Sequence, residues 1–295
     1  DVCSSDLNAK LILMVGVLGV SASAILVRFS QAPSGVTAAY RLGWTVLLLL
    51  PVVLLRCRAE LRRVTARDLV LCGASGVLLA LHFLTWFESL KRTSVASSTV
   101  LVSTEVIFTA LGFALFLHGK IPRLGVWAIL LAFGGSALLA LSGGGGAGEL
   151  SGNLLALAAA SAAAVYTLIG RIQRGHLSTT VYTFLTYLAC FLTLLLGTAA
   201  AGTPLTGYGG REWLIGLALA VLCTLLGHSL FSWCLKYLSP SYVSAAKLCE
   251  PVFSSLAAIP LFGEVPGPLQ LAGGAAVLGA VLLYTWAERE KTPAG

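Results

Sequence analysis

Two glutamates, Glu105 and Glu250, lie inside long apolar stretches, and similar sequence surrounds both. Leu90-Lys91-Arg92-Thr93-Ser94 leads to the first, and Leu235-Lys236-Tyr237-Leu238-Ser239 leads to the second. At one offset Leu90 falls on Leu235, Lys91 on Lys236, Ser94 on Ser239, Glu105 on Glu250 and Phe108 on Phe253. An ionised carboxylate in hydrocarbon costs about 3 kcal/mol or more, so each glutamate is expected to face a cavity or a partner. A carboxyl held there can take up and release a proton, which is the chemistry of proton-coupled transport. The plainer reading of Glu105 is a structural carboxyl bonded to Ser103 or Thr104.

Other polar groups sit in the same apolar surroundings. Lys247 precedes Glu250 by three residues, so the two share a helix face. They form either an internal ion pair or a site in which Lys247 holds an anionic group and Glu250 a proton or an amine. Pro251 removes a backbone donor directly after Glu250 and is a candidate hinge. Arg41 falls about one third of the way into its apolar stretch; its guanidinium either snorkels to the interface or clamps a carboxylate. Arg28 lies nearer an end, where a gate or interface role fits better. His82 and Trp86 are four residues apart with Thr85 beside them, a partly polar stripe that can line a cavity; a lone histidine on an apolar helix is more often satisfied internally. His228 is similar. Tyr40, Tyr166, Tyr187 and Trp233 are candidate cavity aromatics, with interface anchoring as the competing explanation.

The elements that must carry these groups follow from composition. Of 295 residues 57% are hydrophobic and 11% charged, where soluble domains carry about 25% charged residues. Mean hydropathy is +0.91. Such a surface suits lipid, so the chain is expected to be an all-α integral membrane protein. The net charge of +7 gives no basic stripe with interleaved aromatics, so nucleic acid is not an expected partner. The seven cysteines are scattered singly, with no C-x-x-C pair and no zinc spacing; no metal and no cofactor are expected. Residues 1–9 are polar, lack an initiator Met, and read as a fragment end or an artefact. Leu11 to Val27 resembles a signal peptide near Ser21-Ala22-Ser23-Ala24, but the apolar run continues, which fits an uncleaved span better.

Hydropathy predicts ten spans: 11–29, 36–55, 69–90, 94–117, 123–142, 152–170, 178–201, 212–235, 241–262 and 267–287. With a cytoplasmic N-terminus, the inner segments hold Lys10, Arg56, Arg58, Arg62, Arg63, Arg67, Lys120, Arg123, Arg171, Arg174, Lys236, Arg289 and Lys291. The outer segments hold only Arg28, Lys91, Arg92 and Arg211, so both termini are expected inside. Gly143-Gly144-Gly145-Gly146 followed by Ala147-Gly148 joins the halves as a flexible linker; it lacks the strand and lysine of a phosphate loop. Five spans per half, an odd number, makes 11–142 and 152–287 inverted repeats around a central cavity. Gly134-Gly135-Ser136-Ala137 and Gly273-Gly274-Ala275-Ala276 with Gly279-Ala280 let helices pack closely within the bundle or against a second copy as a homodimer.

Three stretches then resemble the drug/metabolite transporter superfamily and, within it, the EamA family. ASAILVRFSQAPSGVTAAYRLGWTVLLLL at 22–50 is similar to that family's first two helices with their two arginines. Residues 82–117 resemble its third and fourth helices. WCLKYLSPSYVSAAKLCEPVFSSLAAIPLFGE at 233–264 resembles its eighth and ninth, including Glu250-Pro251 and Gly263-Glu264. The first repeat departs from the pattern: Val106 and Gly119 stand where members often carry proline and glutamate, which predicts a fourth helix less broken than the ninth. The resemblance implies ten helices around a cavity, and export of metabolites, amino acids or drugs.

The expected function is therefore secondary transport: a multi-pass protein of the cytoplasmic or inner membrane, exporting small molecules by alternating access. The bilayer and a small-molecule substrate are its expected partners. Proton antiport and gradient-driven facilitated flux both stay open. Two other classes compete. Gly73-Ala74-Ser75-Gly76 matches the short G-x-S-G pattern of rhomboid-like intramembrane serine proteases, with His82 or His228 as the base, but four residues match easily in a chain with 32 glycines. A non-transporting receptor or assembly subunit is the other. No enzymatic activity is expected.

Overall fold

Lipid-facing sequence leaves the backbone no water to bond, so the chain must satisfy its amides within helices. The computed structural model describes residues 2–116, 121, 123–142, 147–173, 175–228, 230 and 249–289, and among them there are helices and no strands. The helices are α1 (Val2–Phe29), α2 (Ser34–Arg56), the short α3 (Arg58–Leu61), α4 (Ala66–Arg92), α5 (Val95–Val102), α6 (Glu105–Phe116) and α7 (Arg123–Ser142) in the first half. The second half holds α8 (Ala147–Gln173), α9 (Thr179–Ala200), α10 (Gly210–Ala218), the π-helical α11 (Leu219–His228), α12 (Cys249–Phe262) and α13 (Pro268–Arg289). Among the described residues seven stretches are long and apolar enough to cross a membrane, and three shorter apolar helices fall at Arg123–Leu139, Cys249–Phe262 and Pro268–Tyr284. Many large apolar side chains point outward, among them Leu55, Leu115, Leu141 and Leu196, as a protein solvated by acyl chains requires.

Local chemistry sets the helix ends. Thr65 and Asp68 form a reciprocal capping box at the start of α4. Ser94 caps α5 and Ser178 caps α9, each accepting a backbone N–H three residues on. Basic Lys91 and Arg92 sit in the last turn of α4, where the helix dipole favours cations.

Span 4 is broken, without a proline. A turn at Ser103-Thr104 separates α5 from α6 and puts Glu105 at the first position of α6. The cause is the hydroxyl run before it. Thr99, Ser103 and Thr104 each donate to a carbonyl three or four residues back, at 2.7, 2.9 and 2.6 Å, which competes with the helical ladder. Residues 231–248 lie outside the described residues, so the break in span 4 has no described counterpart.

Small residues bring helices together. A Cβ on Gly76 of α4 would lie 2.5 Å from the Ala189 Cβ and 2.7 Å from the Cys190 backbone nitrogen of α9. Gly135 of α7 and Gly273 of α13 meet in the same way, each with its would-be Cβ 2.9 Å from the other's carbonyl oxygen. This part of the small-residue stripe therefore packs within the chain, whereas Gly134 and Gly279 meet nothing within 4 Å.

Candidate functional site: a buried arginine between the two halves

The polar contacts at helix ends sort into two faces. On one face Asp68 accepts from Gln173 at 3.2 Å and pairs with His176 at 2.6 Å, and Ser178 N–H donates to Glu60. On the other, Glu212 accepts from Ser30 at 2.5 Å and from the Gln31 N–H at 3.1 Å. There Ser34 and Arg92 both donate to Glu88, and Lys91 donates to the Ala32 carbonyl. Arg28 on that face binds the carbonyls of Leu90 and Thr93 and the carboxylate of Glu264. Glu264 also accepts the Val95 N–H at 2.8 Å. Arg28 thus ties α1, the α4–α5 junction and the segment after α12 together in one latch of contacts. A crevice of about 280 Å³ opens beside it, lined by Ser94, Ser255, Glu264 and Gln270 among others.

Between the faces lies Arg41. It is 2% exposed and does not snorkel. Its Nε donates to the Thr224 hydroxyl of α11 at 3.0 Å and one terminal nitrogen to the Ser23 hydroxyl of α1 at 3.1 Å. The guanidinium carbon stands 4.5 Å above the Phe83 ring of α4, a cation–π contact. One guanidinium therefore spans both halves of the chain. Thr224 is presented by a π-helix, a rare form that recurs at functional sites, and its own hydroxyl reaches back to the Leu219 carbonyl five residues earlier. Glu250 of α12 is near enough for its charge to act on Arg41. Glu250 is half-buried, and Pro251 is buried in the next position of α12, its carbonyl accepting from Ser255 at 2.6 Å. Lys247 and Trp233, and the side chain of His228, lie outside the described residues.

Glu105 marks a second polar point. It accepts a hydrogen bond from Thr167 of α8 at 2.8 Å, not from Ser103 or Thr104. His82 lies electrostatically between Glu105 and Arg41. Its Nδ1 meets the Ala159 carbonyl at 3.0 Å, so the histidine is satisfied internally, the plainer of its two expected roles. The ring stacks on Trp86 at 5.8 Å, and Trp86 is 5% exposed with its Nε1 unpartnered among the described residues. Tyr40 turns away from the centre; it stacks on Trp213 at 4.0 Å and donates to the Leu205 carbonyl, as an anchor does. Ser75 is bonded to the Tyr182 hydroxyl at 2.7 Å, and among the described residues no histidine is bonded to Ser75. Nothing in the sequence marks Ser23, Phe83 or Thr224 as partners of Arg41. Neutral hydroxyls and rings are common in apolar helices, and a π-helix has no compositional mark.

The EamA-like transporter family model matches this chain twice, over residues 8–141 and 150–286. The chain belongs to the EamA-like transporter family. It is a multi-pass membrane transporter made of two EamA domains in tandem. The chain is 24% identical over 207 residues to the pseudopaline exporter CntI of Pseudomonas aeruginosa, covering 70% of this chain and 72% of that one. It is 28% identical over 233 residues to a protein of Streptantibioticus cattleyicolor named probable terminal-alkyne amino-acid exporter, covering 75% of each. One solved crystal structure superposes with a TM-score of 0.62 over 97% of this chain and 99% of that one; at 20% identity this likeness speaks to the fold alone.

Proposed function

We propose that the chain is a secondary transporter exporting small metabolites of the amino-acid type across the inner membrane, by alternating access. The single observation that carries this reading is the buried Arg41 bridging α1 and α11, one from each EamA domain. A site at the seam of two repeats is where a rocking motion gives access first to one side and then to the other. The named exports of the relatives support small-metabolite cargo, and the amino-acid cargo of one supports that class.

In this reading the two repeats, 11–142 and 152–287, contribute five spans each in inverted sense. Both termini are cytoplasmic, in accord with the distribution of Lys and Arg. The Arg28–Glu264 latch then closes the outer face. Glu105, at the break of span 4, carries the coupling proton, and Glu250 and Lys247 border the cargo path together with His82 and Trp86. Pro251 serves as the hinge of span 9. Gly134 and Gly279 remain for contact with a second copy.

The test is uptake into inside-out vesicles of labelled amino acids, nucleobases and cationic dyes, with and without an imposed proton gradient. Amino acids are expected to enter with the gradient, and Glu105→Gln is expected to lose the gradient response. If Glu105→Gln keeps that response in full, Glu105 is not the proton carrier. Absence of flux for every class, with folded protein, would reject transport of this kind.

A further inference from the structure

We infer that Arg41 binds a carboxylate of the cargo, held between the two EamA domains, so that the substrate class is monoanionic or zwitterionic carboxylates. This deepens the transporter reading above and rests on it. The first ground is charge. Arg41 is 2% exposed, and no carboxylate lies within ion-pair distance of it among the described residues. Its partners are two neutral hydroxyls and the face of Phe83. A buried guanidinium without a counter-ion is costly, and structural arginines in apolar cores are paired for that reason. Ser23 and Thr224 fix the orientation of the group and, being neutral, supply no counter-charge.

The second ground is an unused donor. Trp86 lies one helical turn beyond Phe83 on α4 and shares its apolar core, and its buried Nε1 has no acceptor among the described residues. Buried indole N–H groups ordinarily find a partner, and a ligand oxygen supplies one. The third ground is shape. A planar guanidinium presents a fork that matches a carboxylate through two parallel hydrogen bonds. Phosphate fits the same fork, but a single guanidinium that also feels the charge of Glu250 balances one negative charge rather than two. The aromatic wall of Phe83 and Trp86 then meets the apolar part of the cargo. Because Arg41 is bonded to α1 on one side and α11 on the other, separation of those helices releases it toward the ligand.

Phenylglyoxal modification of Arg41, read by mass spectrometry on the full-length protein in proteoliposomes, tests this. Acetate is the probe, with acetamide, inorganic phosphate and chloride at matched ionic strength as comparisons. Acetate is expected to slow modification at least about fivefold, while acetamide and chloride leave it unchanged and phosphate protects less. Equal protection by acetamide or chloride, better protection by phosphate, no protection, or no modification of Arg41 under any condition would each overturn the assignment. As a second readout, Arg41→Met is expected to stay folded, since it removes a buried unpaired charge, and to raise the KM for the transported amino acid at least about tenfold. An unchanged KM would overturn the proposal. Acetate protection without any vesicle flux would reject transport but keep the carboxylate site; flux without protection would do the reverse.

Discussion

Replacing Glu264 by glutamine isolates the charge of the latch from its shape. The carboxylate makes two contacts: the ion pair to Arg28 and acceptance of the Val95 N–H at 2.8 Å. Glutamine retains an acceptor for Val95 and loses the ion pair. Arg28 keeps the carbonyls of Leu90 and Thr93. The paired side chains are 27% and 19% exposed, so the interaction exceeds that of a surface pair and falls short of a fully buried one. That places its loss at about 1–2 kcal/mol, a shift of about 5–30-fold between closed and open forms of this face. Ser255 lines the crevice beside the latch, about two helical turns from the end of α12, and reports its opening. In a background lacking the seven native cysteines, Ser255→Cys is labelled with a membrane-impermeant maleimide in vesicles of both orientations. Glu264→Gln is expected to accelerate labelling about 5–30-fold from the outer side only. Rates within twofold of the parent from both sides would show that the Arg28–Glu264 pair does not hold the face closed.

Two further substitutions test the packing that positions the site. Gly76→Ala forces a Cβ to 2.7 Å from the Thr186 carbonyl and Cys190 nitrogen of α9, so it is expected to cost about 1–3 kcal/mol in thermal unfolding in detergent; Gly73→Ala, with nothing within 4 Å, is expected to be neutral or slightly stabilising. Thr224→Val keeps the side-chain volume but leaves the Arg41 Nε without its acceptor, at a cost of about 1–3 kcal/mol. Adding Arg41→Met to Thr224→Val is expected to recover most of that loss, and simple additivity of the two would deny that the hydroxyl acts through the guanidinium.

The sequence determined what could be read from local composition and repetition. Charged residues are too few for a water-facing surface, so membrane insertion and an all-helical backbone followed without any contact being known. Duplication was legible because the pattern around Glu105 returns around Glu250, and the family match falls in two copies on the same halves. The place of Arg28 at a span end was legible; its contacts to Leu90, Thr93 and Glu264 were not. Tertiary structure decided the rest. Snorkelling and burial of Arg41 are equally consistent with one position on one helix, and only the packing of α1, α4 and α11 around it excludes the first. Only the packing of α8 against α4 supplies His82 with its Ala159 carbonyl partner. Tyr40 joined the candidate aromatics on type alone, and its stacking on Trp213, distant in sequence, makes it an anchor. Span 4 carries no proline, yet it breaks at Ser103-Thr104, because hydroxyl competition for carbonyls depends on rotamers that a sequence does not display. Partition into lipid sums over many residues and survives ignorance of detail; the partner of a single charge depends on which helices meet around it.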